Sequence, residues 1–283
     1  MAPDSVSFER QLRRAVPLVM AALLASCDSL PGVSEGDERD FYRDRTVESL
    51  YNNAMDNVES GWYTTAAALF DEVERQHPYS TWATKAQLMA AYSQYLRDSY
   101  DEAIIALDRF IELHPGHPDV AYAQYLKALS YYEQISDVGR DQKMTQLALA
   151  TLRNVVKRYP DTTYARDARI KLDLTQDHLA GKEMEIGRYY MRRKEYLAAI
   201  NRFKTVIENF QTTTHVPEAL HRMTESYLAL GISDEAQMTT AVLGHNYPGS
   251  RWYEDSYALL DRASLQPELK RSSWLSWMWD WAF

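Results

Sequence analysis

Residues 50–78 read LYNNAMDNVESGWYTTAAALFDEVERQHP, with Leu50, Ala54, Gly61, Tyr63, Ala66, Phe70 and Pro78 as the positions that matter. Small and apolar residues stand at helical spacing, with Pro78 after the second run, where a helix cannot continue. The same offsets return 37 residues later: Ala91, Tyr100, Ala103, Leu107 and Pro115 replace Ala54, Tyr63, Ala66, Phe70 and Pro78. A third copy holds Ala128, Ala148, Leu152 and Pro160, with its two small residues 20 positions apart instead of 12. Eight extra residues must therefore loop out, in or near Glu133 to Lys143. A fourth has Gly187, Tyr196, Ala199 and Phe203, with Gln211 where the others have proline. The fifth, Leu220, Ala236 and Pro248, is the weakest, with Thr224 and Thr240 at two signature positions.

These offsets resemble the tetratricopeptide pattern. They predict an all-α fold, a right-handed α-solenoid of about five tetratricopeptide-like helical hairpins, because no single hairpin can bury its apolar face alone. The Ala and Gly positions are read as helix contacts and the tyrosines at the inter-helix turns as packing. Between the third and fourth copies, Asp161 to Ala180 predicts an extended helix, with Thr162 or Thr163 as N-cap and Gly181 near its end. The division that follows is a signal peptide at 1–26, a lipidated cysteine with a flexible tether at 27–40, N-terminal repeats at 41–160, C-terminal repeats at 161–263 and a Trp-rich tail at 264–283.

Composition excludes several classes. The 283 residues contain one cysteine, so neither an intrachain disulfide nor a Cys-based metal site can be built from this chain alone. Forty acids against 31 bases give a net charge of −9, which argues against nucleic-acid binding through a basic surface. The 20 tyrosines and only 10 glycines fit helical repeats better than a doubly wound nucleotide fold.

At the amino terminus Arg10, Arg13 and Arg14 precede the apolar run Ala15 to Ala25, which at 11 residues is too short to span a bilayer. It ends in Leu24-Ala25-Ser26-Cys27, which resembles the bacterial lipobox. The resemblance implies cleavage before Cys27 and a covalent lipid on its thiol, with no other cofactor. Asp28 resembles the signal that retains some lipoproteins in the inner membrane, so sorting stays open at this point. Cleavage removes three bases (Arg10, Arg13, Arg14) and two acids (Asp4, Glu9) from −9, leaving −10.

No G-x-S-x-G, Walker A, G-x-G-x-x-G or H-E-x-x-H motif occurs, and no catalytic residue and no metal site are assigned. His114 and His117 are close in sequence but flanked by prolines, as in a turn. The pairs Asp71-Glu72 and Asp101-Glu102 are read as opening the second helix of a repeat, where acids favour the helix dipole.

One run exceeds a generic repeat: Asp108-Arg109-Phe110-Ile111-Glu112-Leu113-His114-Pro115-Gly116-His117-Pro118, followed by Tyr122, Tyr125 and Leu129. A second comprises Tyr159-Pro160-Asp161-Thr162 to Ala168, Glu183-Met184, Tyr189-Tyr190 and Ala198-Ala199-Ile200-Asn201-Arg202. Both closely resemble the BamD family of β-barrel assembly lipoproteins, in a likeness covering about residues 40 to 250. The resemblance implies a non-catalytic scaffold, lipid-anchored at the periplasmic face of the outer membrane. Its implied partners are the POTRA domains of a BamA-like barrel protein, other lipoproteins of the complex and unfolded outer-membrane proteins, and not nucleic acid. It places the barrel-protein contact on Arg202, for which the residues alone offer pairing with a neighbour such as Glu195. It places a substrate groove on Tyr63, His77, Tyr79, Tyr92, Tyr95 and Arg109, with His77 departing from a tyrosine in relatives. A general tetratricopeptide lipoprotein adaptor for other envelope machinery is the second reading.

Trp274, Trp277, Trp279, Trp281 and Phe283 crowd the last ten residues. As a helix, Trp274, Trp277, Met278 and Trp281 share a face suited to a membrane interface; as a strand, Trp277, Trp279, Trp281 and Phe283 alternate onto one face. Interface anchor, partner-docking segment and self-inhibitory mimic of a substrate signal all stay open.

Overall fold

The computed structural model describes residues 46–268 and Trp274. Cys27, Asp28, the leader and tether, and Trp277, Trp279, Trp281 and Phe283 lie outside the described residues. Among the described residues eleven helices follow one another: α1 Val47–Glu59, α2 Tyr63–Gln76, α3 Thr81–Leu96, α4 Tyr100–Leu113, α5 Val120–Tyr132, α6 Lys143–Arg158, α7 Thr163–Arg192, α8 Tyr196–Asn209, α9 Val216–Ala229, α10 Ser233–Asn246 and α11 Arg251–Arg262. Each packs against the next, giving five consecutive hairpins and a closing helix, a tetratricopeptide-like solenoid.

Two turn types repeat. Within a hairpin, the residue two before the second helix takes a left-handed conformation: Gly61 (φ 78°), Asp98 (φ 63°), Lys194 (φ 62°) and Gly231 (φ 73°). Only glycine adopts this region without steric cost, so Asp98 and Lys194 are held there by the turn. Between hairpins, His77, His114, Tyr159, Phe210 and Tyr247 all stand at φ near −130° and ψ near 50°. Proline follows four of them and excludes the α conformation at the residue before it. Two residues further on, Ser80, Thr162 and Ser250 accept a backbone N–H of the next helix at 3.1, 3.1 and 3.2 Å and cap it. In the third hairpin the ten residues Glu133 to Gln142 replace the tight turn, where the looped-out segment was expected.

The core follows the repeat. Ala54, Ala91 and Ala128 on the first helices, and Phe70, Leu107, Leu152 and Phe203 on the second, are all 0% exposed. In the fourth hairpin the small position is Gly187, where an added Cβ would lie 2.4 Å from the Phe203 ring, so the two helices touch through bare backbone. The fifth hairpin, weakest in sequence, puts hydroxyls in the same places. Thr224 Oγ1 donates to the Leu220 carbonyl at 3.1 Å and meets Thr239 Oγ1 at 2.8 Å, while Thr240 Oγ1 donates to the Ala236 carbonyl at 3.0 Å. Helix carbonyls four residues back satisfy these groups, so threonine can stand where alanine and phenylalanine stand elsewhere.

Two expectations are corrected. Gly181 does not end the long helix; α7 runs 30 residues through it to Arg192, because Gly181 is buried in helical conformation with His215 3.3 Å from where its Cβ would lie. Asp71 and Glu72 do not open a helix but sit mid-way along α2. Glu72 is buried there because Arg75 Nε and Gln76 Nε2 both donate to it at 2.6 Å, and these bonds hold its carboxyl below the usual carboxylate range. Asp101 and Glu102 do occupy the first turn of α4.

Candidate functional site

Arg202 lies on α8, one residue before the buried Phe203 that fixes the helix against Gly187, so its side chain is turned toward the edge of the α7–α8 contact. Its Nη1 donates to Glu183 Oε2 at 3.1 Å, and the guanidinium side chain stays 43% exposed. The expected pairing with Glu195 does not occur: Arg193 Nε takes Glu195 Oε1 at 2.9 Å. Tyr190, Ala198, Asn201 and Thr205 join Arg202 around a shallow depression of about 250 Å³. The arrangement is a cation oriented by one carboxylate, with donors free to meet an acid on a second molecule.

The six residues assigned to the substrate groove do not fall at one place. Tyr63 and His77 stand at the two ends of α2, about 20 Å apart. His77 holds the inter-hairpin turn position that His114, Tyr159, Phe210 and Tyr247 hold in the other repeats, and Tyr79 beside it is fully exposed. Arg109, on α4, pairs with Glu74 of α2 at the mouth of a small depression lined by Asp71, Gln87, Gln94 and Phe110. Tyr92 and Tyr95 of α3 belong to a third group.

That group extends beyond the sequence reading. The Tyr92 ring lies 6.5 Å from Tyr122 of α5, Tyr122 lies 5.4 Å from Tyr164 of α7, and Tyr164 stacks on Tyr125 at 5.5 Å. Three successive first helices thus contribute to one strip of rings. Burial is the main cause that pushes the Tyr122 and Tyr125 hydroxyls far above their ordinary range, and Tyr125 donates to Asp167, holding that carboxyl low. The hydroxyls stay protonated, as donors. The three-residue spacing of Tyr122 and Tyr125 was a readable signal; their meeting with Tyr164 needed the superposition of hairpins.

The third-repeat loop covers part of α7 and leaves a cleft of about 460 Å³ lined by Asp137, Leu174, Asp177, His178, Glu185, Arg188 and His215. His178 Nε2 is buried there without a hydrogen-bond partner. His215 Nε2 lies 3.5 Å from Asp177, and Arg188 is held by Glu218 at 3.2 Å. His114 and His117 form a turn, as their prolines predict: His114 bonds Gln87 at 2.9 Å, and the Asp119 N–H donates to His117 Nδ1 at 3.2 Å. Among the described residues no cluster of three metal-ligating side chains occurs, and no helix is long and apolar enough to cross a membrane.

The sequence model of the YfiO family, described as an outer membrane lipoprotein, matches residues 43–243. A protein of Caulobacter vibrioides named outer membrane protein assembly factor BamD is 50% identical over 260 residues, 92% of this chain and 85% of that one. The chain belongs to the BamD family. Its namesake in Rickettsia prowazekii is 46% identical over 86% of this chain and 94% of its own length, and that of Neisseria gonorrhoeae 34% identical over 84% and 93%. Among solved structures, a tetratricopeptide protein of Thermus thermophilus matches 76% of this chain and 98% of its own at 18% identity and a TM-score of 0.36, too loose a superposition to carry an argument. Membership of the BamD family spans α1 to α10 and so takes in Arg202, the tyrosine strip and the third-repeat loop.

Proposed function

We propose that the chain is a non-catalytic scaffold of outer-membrane protein assembly, anchored through a lipid on Cys27 to the periplasmic face of the outer membrane. Its C-terminal repeats hold the POTRA domains of a BamA-like barrel protein, and its N-terminal repeats help receive unfolded outer-membrane proteins. Other lipoproteins of the same complex dock on the remaining surface. The observation that carries this reading is Arg202, a half-exposed guanidinium held by Glu183 at the rim of a depression, in a chain whose relatives are named assembly factors.

The physical logic is that of a repeat array. Stacked hairpins are stabilised by neighbour contacts alone, so the residues facing solvent are free to serve partners. An interfacial ion pair at Arg202 fixes register and speeds association more than it deepens affinity. For the substrate half, we assign the receiving surface to Tyr92 and Tyr95 with the adjoining rings, and to Arg109 at its own depression.

The test is affinity purification of the full lipidated chain from membranes. Recovery of a POTRA-containing barrel protein supports the scaffold; recovery of other envelope partners without it supports the general adaptor.

A further inference from the structure

The residues after α11 turn back across the last helices. Ser264 takes φ 58°, and Leu265 N–H closes on the Leu260 carbonyl at 2.9 Å. Gln237 of α10 then binds the returning main chain in both directions: its Nε2 donates to the Gln266 carbonyl at 2.6 Å, and its own carbonyl accepts from the Glu268 N–H at 3.4 Å. Trp274 arrives two helices earlier. Its ring packs on the core of the C-terminal repeats, the Lys204 ammonium of α8 lies 4.3 Å from the ring centroid, and its indole N–H bonds the Tyr227 hydroxyl of α9.

In this seat Lys204 also pairs with Glu208 at 3.6 Å, a contact that does not involve Trp274, and Tyr227 belongs to the core of the C-terminal repeats. A cation over a ring face and a phenol aimed at a ring N–H select an aromatic side chain, while Gln237 holds the main chain of Gln266 and Glu268. The resident ring is tethered by a short segment, so it competes for the seat at high effective concentration without being locked in it.

We propose that Lys204 and Tyr227 form a receptor site for an aromatic side chain, that Trp274 fills it in cis, and that an aromatic-bearing segment of a partner polypeptide binds these repeats by replacing it. The inference stands apart from Arg202 and its partner.

The experiment is nitrogen-15 NMR of the tryptophan indole N–H groups in the full chain, with the Trp274 signal assigned by Trp274→Phe. The probe is an unlabelled peptide of residues 264–274, which carries a single tryptophan, and its control has alanine in place of that tryptophan. The expected result is movement of the Trp274 signal to a solvent-exposed position with the probe and not with the control. In Trp274→Ala the probe binds about tenfold more tightly than in the unaltered chain, since the tethered competitor is gone, and adding Lys204→Ala with Tyr227→Phe removes that gain. A Trp274 signal unmoved at millimolar probe, or moved equally by the control, overturns the proposal and leaves the tail a fixed cap. The arm in the unaltered chain decides the matter even where a variant folds poorly.

Discussion

Arg202 of α8 and Glu183 of α7 are joined at 3.1 Å across a helix pair in which the Phe203 ring lies against the bare backbone of Gly187. The pair is solvent-accessible and contributes about 0–1 kcal/mol to stability, so its value lies in aiming the guanidinium. Arg202→Glu places two acids together and removes the cation. Capture of a POTRA-containing barrel protein is expected to fall at least about tenfold, equivalent to about 1.4 kcal/mol, while thermal unfolding shifts by only a few degrees. A pull-down with parallel melting curves checks this, and unchanged capture would falsify the assignment of Arg202.

Gly187→Ala separates helix propensity from packing. In an open helix the change stabilises by about 1 kcal/mol. Here the new methyl would stand 2.4 Å from a Phe203 ring that is itself 0% exposed, so the neighbour has nowhere to go. A loss of about 1–3 kcal/mol is expected, read as a lower urea midpoint. A gain in stability would mean that α7 and α8 separate more easily than their contact implies.

Lys194→Gly is expected to act in the opposite direction. Lys194 stands at φ 62° where two equivalent turns have Gly61 and Gly231. Relief of the left-handed strain, about 1–2 kcal/mol, outweighs the added freedom of the unfolded chain, for a net gain of about 0.5–1 kcal/mol. Lys194→Val should lose stability by a similar amount, and equal midpoints for the glycine, lysine and valine forms would dispose of the idea.

His221 supplies a pH dependence. Burial holds its imidazole below the ordinary 6.5, and Arg222 adds to this, while Glu225, Asp255 and Glu218 pull the other way. Its Nδ1 shares a hydrogen bond with Ser256 Oγ at 2.8 Å. Above pH 6.5 the group is neutral folded and unfolded, and stability does not depend on it. As pH falls below 6.5 the unfolded chain takes up a proton that the folded chain refuses, so stability declines. Urea midpoints measured from pH 7 down to about pH 5, above the carboxylate range, should fall in the parent chain and flatten in His221→Gln. A parent midpoint constant across that window would show that the folded imidazole protonates normally.

The hairpins were legible because Ala54, Ala66, Phe70 and Pro78 recur at fixed offsets, and each offset reports a contact within one or two helices. Even the inserted loop could be counted out from Ala128 and Ala148. What escaped depends on helix length or on superposed repeats. Gly181 reads as a terminator in isolation and is buried mid-helix, because the packing of α7 against its neighbours overrides the cost of one glycine. Asp71 and Glu72 read as a helix opening, yet the helix had begun eight residues earlier at Tyr63. Glu195 was the near neighbour of Arg202 in sequence, but Glu183 is nearer in space because α7 runs antiparallel beside α8. The tyrosine strip joins residues 92 to 164, a range over which no local pattern reports proximity.

The 30 residues of α7 form a rod about 45 Å long. The junctions between hairpins, the one before α7 included, are short bends at a proline or its substitute, where small rotations of successive units can accumulate. What sets α7 apart is its length: it carries Tyr164 of the ring strip near its start and Glu183 further along the same unbroken helix. A tilt imposed on the tyrosine-bearing end is therefore carried to the Glu183 end as a lever carries it.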